Sequence, residues 1–570
     1  AVAKAFPDAG TRPPVVLAVP GYLQVDDARG EREGRFGVRW DGAEPAPELP
    51  ADPPKLASPG ALWPDDDPWS RRWRGWAAED SKRFLAGVVV VGTIDQVLLS
   101  ALAVSHSHLR SAGLARHFLV VDEVHASDAY MTAILEVVLA RHLGAGGHAL
   151  LMSATLGAAA RERLLGAGRR PPPLPRAAAE AIPYPLVTYA APPGTAGAGI
   201  ALARTSEKRV VVERAPIAGD PARIAARALE AARRGARVLV IRNTVRDCVA
   251  TQEALETLAA GLGGTGAGHG NLLFGCGGVP APHHSRFARE DRLRLDKEIE
   301  RRFGKEPAGG GCVAVATQTV QQSLDLDADL MLTDLCPMDV LLQRLGRLFR
   351  HGRERPPGFG EARVVVLLPA ERDLGIHFKQ DGRATGPYGI GTVYCDLRVL
   401  EATWRQLEHH AVLELPAMNR ALVEATTHPE ALQAIADDLG GPWMKHGETM
   451  TGIDLAHGRI AANQLARWDV YFPDATFPSD AARIATRLGA NDRVAEFETP
   501  LPGPFGTLVR RLTLPHWLVK GADVDTRPTE VETEDGAIVF RFGERRYRYD
   551  RLGLAALGAT DTPTAEEDDG

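Results

Sequence analysis

Short apolar runs, nearly all closed by polar residues, limit most strongly what this chain can fold into. Seven such runs stand at residues 88–91, 118–121, 149–152, 238–241, 313–315, 330–332 and 364–368. Apolar runs of strand length that alternate with helical stretches are typical of parallel sheets covered by helices. Ligands of open α/β sheets bind at the carboxyl ends of the strands, which is where the polar residues stand. The sequence therefore predicts an α/β protein with functional residues in the turns after its strands.

The positions of these runs also predict the domain organisation. A length of 570 residues fits about three or four domains. Past about residue 369 helical runs at 397–413 and 429–439 take over, and the pattern at 530–542 predicts a hairpin turned at Asp535-Gly536. We expect a first α/β block over 1–165, a connector rich in Pro, Gly and Ala over 166–205, a second block over 206–370, an accessory region over 371–558 and an acidic tail over 559–570.

Composition excludes several classes of protein. The chain is 45% hydrophobic and 24% charged, which excludes a disordered, collagenous or fibrous protein. Its five cysteines form no CxxC pair, which argues against a disulfide framework or zinc ribbon and predicts a reducing, cytoplasmic environment. No apolar stretch is long enough to predict a membrane span, and no export signal opens the chain. At a net charge of −7, any nucleic acid must be held by a local cleft.

Two polar segments follow strands of the first block. Asp122 stands at a strand end, where a carboxylate can hold the hydrated Mg²⁺ of a nucleotide, and Glu123 can orient the attacking water. A strand that simply ends in a charged turn is the alternative. Ser153 and Thr155 follow the next strand, where hydroxyls can bond the acidic segment and relay the nucleotide state. Taken alone they equally fit the start of a loop.

Two further segments stand in the second block. Residues 343–351, Gln-Arg-Leu-Gly-Arg-Leu-Phe-Arg-His, place arginines three apart along one predicted helix face. A guanidinium there can reach a γ-phosphate as an arginine finger does. A solvated basic helix is the alternative, but it does not explain the interspersed Gln and Gly. Just upstream, the hydroxyls and amides of 316–323 suit phosphate contacts, and Asp325 suits a ribose hydroxyl.

Taken in chain order, the segments that begin at Asp122, Ser153, Ala316 and Gln343 resemble motifs II, III, V and VI of superfamily 2 helicases. Helicases of this superfamily bind ATP between two RecA-like domains. Four segments, 92–96, 122–131, 283–292 and 337–347, together resemble the CRISPR-associated helicase–nuclease of type I interference, the Cas-three family. The matching segments run from about residue 70 to 351, and the rest is similar only loosely, through 486–489 and 549–554. Gln321 stands where this family often has Glu.

The resemblance implies two RecA-like parallel-sheet domains, the first incomplete at its N-terminus, and a mostly helical C-terminal domain with a small β-hairpin. The sequence contains neither the phosphate-binding motif Gly-x-x-x-x-Gly-Lys-Ser/Thr nor an adjacent His-Asp pair for the family's nuclease domain. We therefore expect a chain that begins partway through the first domain and is inactive alone. A nuclease metal would belong to the missing part.

The resemblance also assigns roles to single residues, with Mg²⁺ held by Asp122 through water. The residues implied in catalysis are Asp122, Glu123, Gln343, Arg347 and Arg350. Those implied in ATP binding or coupling are His125, Ser153, Thr155 and Asp325. Those implied in DNA contact are Thr93, Asn243, Thr244, Ser285, Arg286, Thr317 and Gln318. For each DNA residue a turn or helix-cap role is the alternative.

The implied function is an ATP-dependent single-stranded-DNA translocase of type I interference. It would use Mg²⁺, travel 3′ to 5′, and be recruited to a crRNA-guided surveillance complex. One alternative is a non-catalytic module that keeps a DNA-binding or partner-binding surface. Another is a superfamily 2 helicase acting on RNA, which Asp95-Gln96 and residues 283–287 disfavour.

Overall fold

The computed structural model of the chain describes about four-fifths of it. The described residues are 13–19, 24–26, 28–33, 37–40, 77–78, 80–124, 128–166, 174–189, 198–201, 207–261, 272–321, 324–468, 470, 492–523, 526–534 and 536–558. They belong to two compact units. Unit 1 takes Ala1–Ser153, Gly166–Pro171 and Asp454–Ala490, and unit 2 takes Ala154–Leu165, Pro172–Ile453 and Asn491–Gly570.

Helices and strands largely alternate between residues 118 and 415, and strands outnumber helices before and after this part. The helices are α1 Ile94–Leu98, α2 Ser107–Leu114, α3 Ala129–Gly144, α4 Ala158–Gly166, α5 Arg176–Glu180, α6 Pro221–Arg233, α7 Val245–Gly261, α8 Arg289–Phe303, α9 Met338–Leu345, α10 Leu397–His409, α11 Asn419–Thr427, α12 Pro429–Leu439 and α13 Gly441–Gln464. The strands up to the second block are β1 Val15–Ala18, β2 Gln24–Val25, β3 Ala28–Glu33, β4 Gly37–Trp40, β5 Val89–Gly92, β6 Phe118–Val121, β7 His148–Leu151, β8 Leu186–Tyr189, β9 Ala198–Ala201, β10 Lys208–Ala215 and β11 Arg237–Ile241. The remaining strands are β12 Gly275–Cys276, β13 Val279–Pro280, β14 Cys312–Ala316, β15 Leu330–Asp334, β16 Ala362–Leu367, β17 Val412–Leu415, β18 Arg493–Pro502, β19 Leu508–Leu514, β20 Thr529–Glu534, β21 Ala537–Phe542, β22 Arg545–Asp550 and β23 Gly553–Ala556.

A six-stranded sheet forms the centre of unit 2. Its order is β14-β11-β15-β16-β10-β17, and its strands are parallel except β17, which pairs antiparallel with β10 at the edge. Every residue of β11, β14 and β15 is buried, as a sheet covered on both faces requires. Val238 of β11 packs in a core with helices α6 and α7, and its neighbour Leu239 packs in the core that contains α8, α9 and α10.

The carboxyl ends of three neighbouring strands meet at one edge of this sheet. Ile241 at the end of β11 is in register with Ala316 of β14 and with Thr333 of β15. The residues that follow these strands, Arg242, Asn243 and Thr317 among them, therefore lie close together. This edge positions most of the candidate site of unit 2.

Unit 1 contains two smaller groups of strands. In the five-stranded order β4-β3-β2-β1-β5, β1 and β5 are parallel and the other pairs antiparallel. Strands β6 and β7 form a separate parallel pair joined through α3. Asp128 caps α3, since its Oδ1 accepts a hydrogen bond from the Met131 N–H at 2.8 Å. Arg141 of α3 donates from Nη2 to the carbonyl of Ala466 at 2.7 Å.

The C-terminal part of unit 2 combines helices α10 to α12 with antiparallel strands. The hairpin predicted at 530–542 is confirmed as β20 and β21, and β22 and β23 extend it to a four-stranded sheet. Gly536 takes a φ of +76° in its turn; Asp535 lies outside the described residues. The helical run predicted at 397–413 instead ends at His409, because Leu413 pairs with Val210 of β10 as part of the edge strand β17.

The predicted α/β class and all seven predicted strands are confirmed, with boundaries that differ by at most two residues at either end. The connector contains the short helix α5 and the pair β8 and β9. The proposed domain boundaries stay predictions. Among the described helices, none is both long and apolar enough to cross a lipid bilayer.

Candidate functional site

The acidic segment of unit 1 stands directly after β6. Pairing of β6 with β7 continues past the strand ends, since the Met152 N–H donates to the Val121 carbonyl at 2.8 Å and the Val124 N–H donates to the Met152 carbonyl at 3.1 Å. Glu123 and Ser153 therefore stand at the same edge. The structure brings together Asp122 and Glu123 of motif II and Ser153, the first residue of motif III.

The backbone at Glu123 is strained, with a φ of +52° in the left-handed region. Its N–H donates to Oδ1 of the preceding Asp122 at 3.0 Å. Non-glycine residues in this conformation cost about 1–3 kcal/mol and cluster at functional sites. The strain turns the chain sharply at the end of β6. His125 lies outside the described residues.

The exposed Asp122 carboxylate fits a magnesium ion. Magnesium bound with a nucleotide takes one or two protein carboxylates and completes its shell with phosphates and water. The described residues contain no group of three or more His, Cys, Asp or Glu able to hold a metal by itself. The donor set at Asp122 thus suits a metal that arrives with phosphate.

In unit 2 a buried arginine, Arg344 of α9, joins the predicted motifs. It is 0% exposed and donates from Nε to Gln321 Oε1 at 2.9 Å. Its Nη1 donates to Thr333 Oγ1 at 2.6 Å, and its Nη2 donates to Asn243 Oδ1 at 2.9 Å and to the Tyr394 hydroxyl at 3.1 Å. One side chain therefore fixes residues that follow or end three different strands. Arg344 belongs to the motif at 343–351, where the sequence predicted roles only for Gln343, Arg347 and Arg350.

A second fully buried arginine lies beside it. Arg242 Nε donates to both carboxylate oxygens of Asp334 at 2.9 and 3.0 Å, and its Nη1 donates to Thr251 Oγ1 at 2.6 Å. Burial raises the pKa of the Asp334 carboxyl, and the charge of Arg242 acts in the opposite direction. Neither residue was predicted as part of the site, although the Asp that ends β15 is visible in the sequence.

Asn243, predicted to contact DNA, is 3% exposed. Its backbone N–H donates to Asp334 Oδ2 at 2.8 Å, and its Nδ2 donates to the carbonyls of Leu335 and Tyr388, each at 2.8 Å. With its Oδ1 bound by Arg344, the side chain is engaged inside the protein. A role in DNA contact stays a prediction, and the described contacts show a structural one.

The predicted helix through residues 344, 347 and 350 is wrong, because α9 ends at Leu345 and Gly346 is its C-cap. Arg347 lies in the following turn, where its N–H donates to the Arg344 carbonyl and its Nη2 donates to the Gln321 carbonyl at 2.7 Å. Phe349 takes a φ of +48°, which reverses the chain. The three arginines therefore do not share a helix face.

Arg350 and Asp325, predicted for separate roles, pair with each other. Arg350 Nε lies 2.6 Å from Asp325 Oδ1, and His351 Nε2 lies 2.9 Å from the same oxygen. The Arg350 and Asp325 side chains are 41% and 50% exposed. Slight burial acts to raise the pKa of the Asp325 carboxyl, but the hydrogen bond from His351 and the charge of Arg350 hold that pKa below its usual range.

The remaining motif VI residue, Gln343, contacts motif III. Its Nε2 donates to Thr155 Oγ1 at 3.4 Å, and Thr155 is 4% exposed. Helix α11 holds the next residues, since Glu424 Oε1 accepts from the Ala158 N–H at 2.8 Å and Arg420 Nη1 donates to the Leu156 carbonyl at 3.0 Å. The accessory region therefore contacts the segment that follows motif III.

The other residues predicted to contact DNA differ in exposure. Thr93 is exposed and is the N-cap of α1. Thr244, half-buried, receives the Asp247 N–H at 3.0 Å at the start of α7 and donates to Asp247 Oδ2 at 2.6 Å. Gln318 donates to the Asn243 carbonyl at 2.8 Å. Thr317 is 3% exposed.

The segment His283–Ala288 is anchored to the C-terminal sheet. Ser285 is exposed, whereas Arg286 is 8% exposed and lies with its Cζ 4.8 Å from the centre of the Trp517 ring. His284 Nε2 donates to the Leu552 carbonyl at 2.9 Å while its Nδ1 accepts from the Arg286 N–H. This pattern requires a neutral ring, and burial lowers the pKa of His284 to about 3. Nothing in the sequence indicated this contact over 268 residues.

Comparison with known proteins shows what the chain is similar to. Residues 234–353 match the family described as CRISPR-associated nuclease/helicase Cas3, C-terminal. The CRISPR-associated endonuclease/helicase Cas3 of Escherichia coli is 32% identical over 410 residues, which cover 69% of this chain and 41% of that protein. The protein of the same name from Thermus thermophilus is 33% identical over 390 residues, which cover 63% of this chain and 40% of the relative.

Solved structures give the same result. The crystal structure of T. fusca Cas3 superposes with a TM-score of 0.64 at 25% identity, over 83% of this chain and 58% of that one, and T. fusca Cas3-ATP gives the same values. The chain spans about two-fifths of the length of the curated relatives named above. On these similarities in sequence and fold, the chain belongs to the Cas3 family of superfamily 2 helicases.

Proposed function

We propose that this chain provides the motor of an ATP-dependent single-stranded-DNA translocase that acts in type I CRISPR interference. The observation that carries the proposal is the position of its polar motifs at carboxyl ends of parallel strands in both units. Asp122 and Glu123 follow β6, Asn243 follows β11, and Thr317 follows β14. Such ends bind ligands in open α/β sheets. The relatives, named as CRISPR-associated endonuclease/helicases, support the assignment.

The proposed substrate of the motor is ATP, as one of the similar solved structures is Cas3-ATP. Asp122 would hold the nucleotide's magnesium through water, and the metal would neutralise charge on the phosphates. Glu123 orients the attacking water. Arg347 and Arg350 offset the charge that develops on the γ-phosphate, for which Arg350 must leave its exposed pair with Asp325.

The proposed DNA contacts use hydroxyls and amides rather than a basic surface. Thr93 and Ser285 are exposed, and Thr244 and Gln318 are half-buried. Groups of this kind bind the phosphodiester backbone without reading sequence. The protein would act in the cytoplasm, in antiviral defence, with a crRNA-guided surveillance complex as its partner.

A second candidate is a non-catalytic module that binds DNA or the surveillance complex. The observation in its favour is the lack of a phosphate-loop motif in the printed sequence. Without backbone amides and a lysine around the phosphates, Asp122 and the arginines act only on a nucleotide held by other means.

The test is degradation of a target plasmid by the complete gene product with the surveillance complex. Arg347→Ala and Arg350→Ala should abolish ATP-dependent loss of DNA far from the target but leave recruitment intact. Arg301→Ala, at an exposed surface pair with Glu298, is the control and should behave as the unmutated protein. Distal degradation at the unmutated rate by both site variants would contradict the proposal. If the unmutated protein binds the complex without consuming ATP, the non-catalytic module is favoured.

A further inference from the structure

One lysine, Lys208, holds both ends of the turn that carries Arg347. It begins β10, far from motif VI in sequence, and is half-buried. Its Nζ donates to the carbonyl of Leu345 and to the carbonyl of Leu348, each at 2.6 Å. Leu345 is the last residue of α9 and Leu348 follows Arg347, so the ammonium spans the turn.

The position suits a cation. The last carbonyls of a helix lack partners within the helix and carry partial negative charge, which a positive group stabilises. Hydrogen bonds from an ionised donor are about twice as strong as neutral ones. Lys208 therefore fixes the point where α9 ends and the turn begins.

Other backbone hydrogen bonds hold the later residues of the turn, but they do not connect the Leu345 carbonyl to a residue outside the turn. The Arg347 carbonyl accepts from the Ala328 N–H at 2.8 Å, and the Phe349 N–H donates to the Ala328 carbonyl at 3.1 Å. The Leu345 carbonyl receives the Leu348 N–H at 3.1 Å from within the turn. Within the described residues, Lys208 is the side chain that connects the Leu345 carbonyl, at the end of helix α9, to strand β10.

We propose that Lys208 is a positioning residue, which sets the place of the Arg347 guanidinium by clamping the carbonyls on either side of it. The inference rests on the proposed function, in which Arg347 acts on the γ-phosphate. Lys208 itself touches no reacting atom. A displacement of about 1 Å in such a group can cost on the order of 10² in rate.

The protonation of the clamp lies within the working range of pH. Burial lowers the pKa of Lys208 to about 8, with Asp327 acting to raise it and Arg350 and Arg355 acting to lower it further. Below pH 8 the ammonium binds both carbonyls; above it a neutral amine makes weaker bonds. The clamp therefore loosens as the pH rises through about 8.

The first experiment needs no catalysis. Hydrogen exchange of the amides at 346–349 is compared in the unmutated chain, Lys208→Met and the control Lys297→Met, an exposed lysine of α8. Lys208→Met should speed exchange at these amides roughly tenfold, because the turn opens more often. The control should not. Unchanged exchange in Lys208→Met would overturn the clamp.

The second experiment measures ATP hydrolysis by the complete gene product. Lys208→Met should lower kcat roughly 10–100-fold with little change in KM, since the nucleotide is held elsewhere. The unmutated enzyme should lose activity about threefold as pH rises through 8, and Lys208→Arg, which stays charged, should not. A melting temperature at or above the unmutated value for Lys208→Met, which no longer buries a charge, excludes misfolding.

Three outcomes separate the claims. If exchange rises but kcat and its pH profile do not change while Arg347→Ala abolishes hydrolysis, Lys208 is only structural and the positioning role is overturned. If exchange rises and Arg347→Ala hydrolyses ATP normally, the proposed function of Arg347 fails and the positioning role fails with it. If kcat falls and the pH response is lost in Lys208→Arg, the proposal holds.

Discussion

Replacing Asp334 by Asn should destabilise unit 2 strongly although it changes almost no volume. Both partners of the pair are fully buried, with side chains exposed by 0% for Arg242 and 1% for Asp334. Asp334 accepts two contacts from Arg242 Nε and one from the Asn243 N–H. An Asn has one acceptor oxygen and no charge, so the buried guanidinium loses the carboxylate that is bonded to it.

The size of the effect follows from the burial. Breaking a fully buried ion pair by removing one partner costs about 3–5 kcal/mol, because the remaining charge keeps its desolvation cost. The matched control is Glu361→Gln, which makes the same chemical change in an exposed pair with Arg209. Pairs of that kind contribute about 0–1 kcal/mol.

The assay uses the cysteines, since all five lie in unit 2 and four of them are buried. Cys248 is 0% exposed and stands on α7 close to Arg242, so its labelling by a thiol reagent in urea reports the unfolding of this core. With a slope of about 2–3 kcal/mol per molar urea, Asp334→Asn should lower the midpoint by roughly 1–2 M. A shift no larger than that of Glu361→Gln would refute the reasoning.

Three more predictions concern single contacts or the chain alone. Glu424→Ala should leave the Ala158 N–H without its hydrogen bond at the start of α4, which should lower the free energy of unfolding by about 1–3 kcal/mol. Unfolding is measured by Cys248 labelling, and Glu430→Ala, at an exposed residue, is the control. Because the folded pKa of His284 lies near 3 and the unfolded one near 6.5, the unfolded chain takes up a proton first as pH falls, so stability should fall between those values. His284→Gln should weaken this acid sensitivity in pH-dependent melting, and an unchanged profile would contradict the assignment. The printed chain alone should show no DNA-stimulated ATP hydrolysis, and robust turnover would mean an unrecognised phosphate site.

The sequence predicted the strands well because each is a short apolar run with polar ends. Strand β6 matches its prediction at both ends. Strand β11 begins one residue earlier than predicted, and β14 is one residue longer at each end. Strand β10 was not predicted. Its run of three residues without a charge, Val210–Val212, is preceded by Lys208 and Arg209 and followed by charged Glu213, so a central strand looked like a surface segment.

The candidate site was predicted by residue type but not by arrangement. The spacing of Arg344 and Arg347 suggested that both lie on a single helix. Helix α9 instead ends at Leu345 with Gly346 as its C-cap, and the left-handed backbone at Phe349 turns the chain away. Contacts over long separations could not be predicted at all. Lys208 reaches the carbonyl of Leu348 over 140 residues, and such a contact depends on the register of the whole sheet.

The most direct test of the central claim is single-stranded-DNA-stimulated ATP hydrolysis by the complete gene product, with Glu123 changed to Gln. The amide keeps the shape at the strained end of β6 but cannot polarise the attacking water. The account predicts that Glu123→Gln still binds ATP and single-stranded DNA, while hydrolysis falls to background. Hydrolysis at the unmutated rate by Glu123→Gln would show that Asp122–Glu123 is not the catalytic edge of a motor.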